Sequence, residues 1–257
     1  MKNVPLIMTL IRRGIEQRYR GSVLGLLWAF LTPLIMLLVF TFVFGVVFQS
    51  RWAGQTDNIY EFAIVLFAGI TTFTLFSEIV GNAPSLITSQ PNLVKKVVFP
   101  LEILPIITLG EALFQAAIAY CLLIIMNALF GQGFSPAFLA LPFLLLPLLL
   151  TALGMSWFLA ATGVFVRDIS QFIQPVLTAL MFLSAVFFPL SALPDWLRPA
   201  MTFNPLAGAV EMVRNALVFG VLPDGKILIY SITSGAAIAV LGHLFFQKTK
   251  RGFADVL

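Results

Sequence analysis

The 257-residue chain is 60% hydrophobic and only 10% charged, with a mean hydropathy of +1.02 and a formal net charge of +4. This balance excludes an ordinary soluble domain, and long apolar runs parted by short segments that hold nearly all fifteen Lys and Arg place most of the chain in a bilayer. The lone Cys121 lies inside an apolar run, which excludes a disulfide framework and a thiolate metal site.

Residues 1–22 come first. Val4, Ile7, Met8, Ile11, Ile15 and Tyr19 fall on one helical face, and Thr9, Arg12, Arg13, Glu16, Gln17 and Arg20 on the other. Such a pattern predicts an interfacial helix, apolar side in the acyl boundary and cations among the headgroups. The segment has no continuous apolar core and carries four Arg, so a cleavable signal peptide is not expected. A membrane anchor is its simplest use. A sharper one is reception of a phosphorylated headgroup by Arg18, Tyr19 and Arg20 beside the Gly21–Ser22 break, because the planar guanidinium offers paired donors and a loop before a helix adds backbone amides.

Six apolar runs follow, each long enough for a crossing of about 20 residues: 24–48, 59–80, 101–130, 134–166, 172–190 and 227–247. The predicted fold is an all-α membrane protein, one transmembrane domain over 1–257, without the short alternating segments of a barrel. Runs three and four exceed one crossing, so tilt, kinks at Pro105, Pro142 and Pro147, or protrusion are expected. Keeping basic residues inside puts both termini in the cytoplasm. Lys2, Arg12, Arg13, Arg18, Arg20, Lys95, Lys96, Arg167, Lys248, Lys250 and Arg251 then lie inside, and Arg51, Arg198, Arg214 and Lys226 outside.

Phe40, Phe44 and Phe48 recur at four-residue spacing on one face of the first span. Helix packing or lipid contact accounts for them; alternatively, with Trp28, Met181, Phe187 and Phe188 they line a path through the bundle. Between spans two and three, residues 84–100 form an inner loop in which Ser89, Gln90, Pro91 and Asn92 suit a turn and helix cap before Lys95 and Lys96. Arg167 and Asp168 mark the next inner turn, where a local ion pair or cap is the simpler reading. Residues 191–226 are apolar yet broken by Pro194, Pro199, Pro205 and Pro223, which forbids one continuous spanning helix. Two short helices dipping back into the membrane suit this segment if protein covers their backbone; an amphipathic cap on the outer surface is the alternative. Glu61, Glu78 and Glu102 sit near span ends and need no special role. Glu111 lies deeper, on one face with Gln115, and His243 has no second His with which to build a cluster.

Four motifs in order, RYRGSVLGLLWAFLTPL (18–34), LVKKVVFPLEILP (93–105), RDI (167–169) and FNPL (203–206), give a chain that resembles the permease subunits of ABC polysaccharide exporters, the group that serves O-antigen, capsule and teichoic acid. The likeness covers essentially the whole chain and departs at Leu101, where a charged residue often follows Phe-Pro. It implies a homodimeric path for lipid-linked polysaccharide across the bacterial inner membrane. It also implies two separate ATPase subunits that bind ATP and Mg, a coupling helix in 84–100 with a weaker contact at Arg167 and Asp168, and a re-entrant pair at the outer exit. No GxxxxGK[ST] phosphate loop occurs in the sequence, so ATP hydrolysis is expected of a partner, and neither a metal nor a cofactor is expected in this chain. Two alternatives stand beside this reading. One is a proton-coupled carrier using Glu111, disfavoured by the lack of an evident two-half repeat. The other is an intramembrane lipid-linked sugar transferase, disfavoured by the lack of an Asp-rich motif or His pair.

Overall fold

Helix α1 (Val4–Tyr19) packs across the start of helix α4 (Leu104–Phe130), to which it brings Ile7, Leu10 and Ile11, while Val4 and Met8 on the predicted apolar face stay exposed. Gly110 and Gly14 make this approach possible: a Cβ on Gly110 would strike the Ile11 side chain, and one on Gly14 would strike the Glu111 carboxylate. The computed structural model describes residues 4–47, 59–92, 99–196, 201 and 204–256.

The first span opens with a 3-10 turn (Gly25–Leu27), continues as α2 (Trp28–Phe40) and widens into a π-helix (Thr41–Val47). Helix α3 (Ile59–Asn82) is the most enclosed of the long apolar helices and forms the spine of the bundle. Helix α4 follows a 3-10 turn at Leu101–Ile103, and α5 (Leu141–Phe165) follows another at Pro136–Ala140, where Ser135 Oγ accepts from Ala137 N at 3.2 Å. These turns take up the surplus length of runs three and four. Pro105 and Pro142 fall in first turns, where a missing N–H costs nothing, and Pro147 lies inside α5.

Helix α6 (Ile169–Phe182) is shorter than the predicted fifth run: regular backbone stops at Leu183, and Ala185 takes a positive φ of 55°. Among the described residues, five helical stretches are therefore long and apolar enough to cross a membrane, with α6 a shorter apolar helix beside them. Helix α7 (Pro205–Leu217) packs against α3 and α5 with most of its side chains buried. Asn204 starts it, its Oδ1 accepting from Leu206 N at 3.0 Å while Nδ2 donates to Leu183 O at 3.3 Å and Ser184 Oγ at 3.1 Å. Helix α8 (Gly225–Thr249) meets α5 backbone to backbone at Gly235 and Gly242, and the short α9 (Phe253–Val256) closes the described chain.

Two ends of the bundle emerge from these contacts. One gathers α1, the turn after α3, the starts of α4 and α6, and the end of α8. There a Cβ on Gly163 would strike the Pro84 carbonyl, Lys250 Nζ pairs with Glu102 at 2.7 Å, and Phe165 meets Phe253 with ring centroids 5.9 Å apart. At the other end, Asn127 Nδ2 donates to Leu217 O and Gly133 O, both at 3.0 Å, and Tyr60 packs on Phe130.

Candidate functional site

A cavity of about 470 Å³ lies between the end of α1 and helices α2, α3 and α4, with Met181 of α6 on its wall. Its charged end holds Arg18 and Glu78, joined through Arg18 Nη1 and Glu78 Oε1. Beyond them Thr71, Thr74 and Ser77 of α3 and Gln115 of α4 supply a polar strip, and Met36, Phe40, Phe67 and Met181 make the far wall apolar. From Glu78 to Phe67 the rise along α3 is roughly 16 Å, about half the hydrocarbon core.

Gln115 organises the junction. Its Oε1 accepts from the Tyr19 hydroxyl at 2.5 Å and its Nε2 donates to Ala29 O at 3.0 Å, which ties α1, α2 and α4 together at one side chain. Burial pushes the Tyr19 phenol up, and the Arg18 guanidinium offsets part of that, so the phenol stays neutral and serves as a donor. Deeper in, Phe40 stacks on Phe44 at 6.0 Å, Phe44 on Phe187 at 5.6 Å, and Phe182 lies 5.3 Å from Phe187. An apolar-lined cleft with a charged mouth suits an amphiphile, its anionic group at the mouth and its apolar part along the wall.

Residues 5–218 match the family model described as ABC-2 type transporter. The chain belongs to this family. It is 27% identical to the O-antigen export system permease protein RfbA of Myxococcus xanthus over 97% of its own length and 94% of that protein's. It is 23% identical to the RfbA permease of Klebsiella pneumoniae over 98% and 95%, and 27% identical to the polysialic acid transport protein KpsM of Escherichia coli over 87% and 85%. The chain is thus the membrane subunit of a transporter and not an enzyme.

In this ABC-2 permease the predicted site residues divide. Arg18, Tyr19, Phe40 and Met181 line the cavity, and Phe44 and Phe187 stand behind Phe40. Arg20, Gly21 and Ser22 form the exposed turn after α1, with Gly21 at a φ of 86°, and Trp28 is exposed away from the cavity. Phe188 joins a separate cluster with Ala185, Met201 and Ala207. Phe48, Lys95 and Lys96 lie outside the described residues. Ser89 and Gln90 close the turn after α3, where Ser89 N donates to Ser85 O at 2.9 Å, and Pro91 and Asn92 are helical and exposed. Pro91 and Arg167 share a groove with Thr88, Gly163 and Ser170, so the two predicted coupling segments are neighbours. Asp168 occupies the N-cap of α6 but makes no side-chain cap bond, and among the described residues neither it nor Arg167 forms an ion pair. Glu111 is not on the cavity wall; it is half-buried against Gly14.

Two residues escaped the sequence reading. Glu78, set aside as a span-end carboxylate, partners Arg18 at the cavity mouth. Arg214, counted only as an outer cation, is wholly buried: Nη1 pairs with Glu211 Oε2 at 3.0 Å, Nη2 donates to Ala185 O at 2.9 Å and Val186 O at 3.0 Å, and Nε points at Val65 O at 3.4 Å. The signal for Arg214 was present in the Met-Val-Arg-Asn-Ala run, where a cation sits amid apolar residues at helical spacing.

Proposed function

We propose that the chain is the permease half of an ATP-driven exporter that carries lipid-linked polysaccharide, O-antigen or a similar cell-surface glycan, out of the cytoplasm across the bacterial inner membrane. The observation that carries this reading is near full-length similarity to permeases named for O-antigen export and polysialic acid transport. Two copies form the path, and two ATPase subunits bind ATP and Mg. Arg18, Tyr19, Arg20, Gly21 and Ser22 receive the phosphorylated reducing end. The glycan then passes along Phe40, Phe44, Phe48, Met181 and Phe187, with Trp28 and Phe188 flanking.

Coupling runs through the groove between Pro91 and Arg167, with Ser89, Gln90, Asn92 and Asp168 as further contacts and Lys95 and Lys96, which lie outside the described residues, taking part from the same inner segment. Both termini are cytoplasmic; in support, Arg12, Arg13, Arg18, Arg20, Arg167, Lys248, Lys250 and Arg251 belong to elements at the α1 end of the bundle. The sixth crossing is made by α6, about 21 Å long, with the irregular chain after it, and α7 is one arm of a re-entrant segment. Burial of α7 between α3 and α5 favours re-entry over a surface cap, since broken backbone at membrane depth must be covered by protein.

The test is co-reconstitution of the permease with its ATPase in lipid vesicles, following ATP hydrolysis and movement of a lipid-linked glycan. ATP-dependent movement is expected. Movement that follows a proton gradient without an ATPase refutes the proposal and returns attention to Glu111.

A further inference from the structure

Helix α7 is packed on every side but one. Beyond its first turn the residues that keep accessible surface are Gly208, Glu211 and Asn215, whose spacing of three and four puts them on a single face. That face carries no apolar side chain. Glu211 keeps 29% of its side-chain surface; its Oε2 takes Arg214 Nη1 at 3.0 Å, while Oε1 accepts no hydrogen bond among the described residues. The Asn215 side-chain amide makes none there either. A Cβ on Gly208 would meet nothing within 4 Å, whereas every other glycine inside a described α-helix lies close against a neighbour. Glycine weakens a helix relative to alanine, and no packing contact explains it at position 208. Ala207, the residue before it, belongs to the cluster on which Phe188 packs.

We infer that the Gly208–Glu211–Asn215 face of α7 is a binding stripe for sugar hydroxyls, with Glu211 Oε1 and the Asn215 amide as its hydrogen-bonding groups and Gly208 as the space for a ring. The inference rests on the export reading proposed above. The stripe rises roughly 11 Å along α7, beside Arg214, whose Nε points at Val65 O on α3, so it faces its occupant at the depth of the bundle and not at its tip. Acyl chains offer no donor to a carboxylate or an amide there. A second copy related by an axis along the membrane normal brings the same face at the same depth, Glu211 toward Glu211, which like charge disfavours. A hydroxylated chain supplies what both groups lack: donors to Glu211 Oε1, and donors and acceptors to Asn215. Arg214 makes this site rigid. Wholly buried and tied to the Ala185 and Val186 carbonyls, it balances the carboxylate's charge and fixes Oε2, so Oε1 is presented to the open side in one orientation. Every sugar of a polymer carries hydroxyls, and the stripe therefore holds a passing chain in any register.

The experiment is photocrosslinking in vesicles that hold the permease–ATPase complex, with glycan extracted on its carrier lipid from the bacterium that carries the permease. A small aliphatic diazirine amino acid is placed at position 208, where the open space admits it, and in a control at Val240, which is 57% exposed on α8. Irradiation during ATP turnover should give glycan adducts at 208 and none at 240. Two variants in the 208 background test the hydrogen bonds, with adduct counted per glycan chain moved. Glu211→Gln still offers Arg214 an acceptor, which guards the packing of α7, but gives hydroxyls a neutral group; adduct should fall about fivefold, the difference between a charged and a neutral acceptor. Asn215→Ala, whose amide holds nothing else among the described residues, should lower it by about the same factor. Adducts at 208 with the partner copy or with phospholipid, and not with glycan, overturn the inference. Glycan adducts that neither variant lowers overturn it too, since the chain then passes without being bound. In both cases ATP-driven glycan movement by the native complex leaves the export reading standing. A native complex that moves no glycan overturns that reading, and this inference with it.

Discussion

Arg214→Met removes one guanidinium and tests whether this residue holds the irregular chain after α6 onto the bundle. Methionine retains much of the apolar stem, so the loss is polar and not a cavity. The native side chain is fully buried, pairs with Glu211, and donates to carbonyls of Ala185 and Val186, with Val65 at the margin of bonding distance. Breaking a buried charged pair by removing one partner costs about 3–5 kcal/mol, and each carbonyl stranded without a donor costs about 1–3 kcal/mol when water cannot reach it. These costs overlap. Glu211 keeps 29% of its side-chain surface and can recover part of its hydration, which places the expected loss near the lower bound, about 3 kcal/mol. Equilibrium unfolding of the purified permease in mixed micelles, titrated with SDS, reads the difference. Arg214→Lys should fall between native and Met, because an ammonium keeps the charge but lacks the planar fork that spans Glu211 and two successive carbonyls. A Met variant within about 1 kcal/mol of native, the weight of one ordinary hydrogen bond, would refute the reasoning. It would mean that the positive φ at Ala185 and the chain around it are held by apolar packing alone.

Gly242→Ala places a methyl group against the Gly154 carbonyl, with the carbonyl carbon 2.7 Å and Cα 2.9 Å away. Backbone cannot swing aside as a side chain can, so overpacking should cost about 1–3 kcal/mol, read by the same titration. Asn204→Ala removes the α7 cap and the ties to Leu183 and Ser184, with an expected loss of about 1–2 kcal/mol; Asn204→Asp, which keeps the cap acceptor but not the donors, should recover only part of it. Tyr19→Phe deletes the 2.5 Å bond to Gln115 and should lower stability by about 1 kcal/mol, with faster hydrogen exchange confined to the end of α1. Gly14→Ala should be mild, because its clash is with the mobile end of Glu111, and Glu111→Ala should abolish its effect in a double-mutant cycle. Additive losses in that cycle would show that the two sites do not touch.

Much of the architecture follows from one-dimensional pattern. Runs of 20 or more apolar residues must close their own backbone hydrogen bonds in lipid, so they become helices wherever they pack, and the described ends of α3, α4 and α8 fall within a few residues of the apolar runs that announce them, while α5 begins later, after its 3-10 turn. The alternation of cations and apolar residues over 4–19 likewise foretells α1. What pattern cannot supply is the partner across space. The run 172–190 reads as one helix because every residue in it tolerates lipid. It ends at Leu183 because Asn204 and Arg214, twenty or more residues downstream, satisfy the carbonyls that a break exposes.

Charge shows the same division. The sequence by itself determined that this chain lies in a membrane, that its apolar runs are parted by short segments rich in cations, and that Arg18 stands near the end of an amphipathic helix, since each depends on composition and local periodicity. Only the tertiary structure decided that Glu78 meets Arg18 sixty residues away, that Glu111 packs on Gly14 and leaves the cavity wall to Gln115, and that Arg214 is buried in the bundle instead of lying on its surface. The reason is physical: a buried or half-buried charge is tolerated only with its counter-charge and acceptors in place. Arg18 takes its counter-charge from α3, and Arg214, paired with Glu211 of its own helix, takes its acceptors from the irregular chain after α6; the approach of these segments is set by small residues such as Gly14, Gly69 and Gly110.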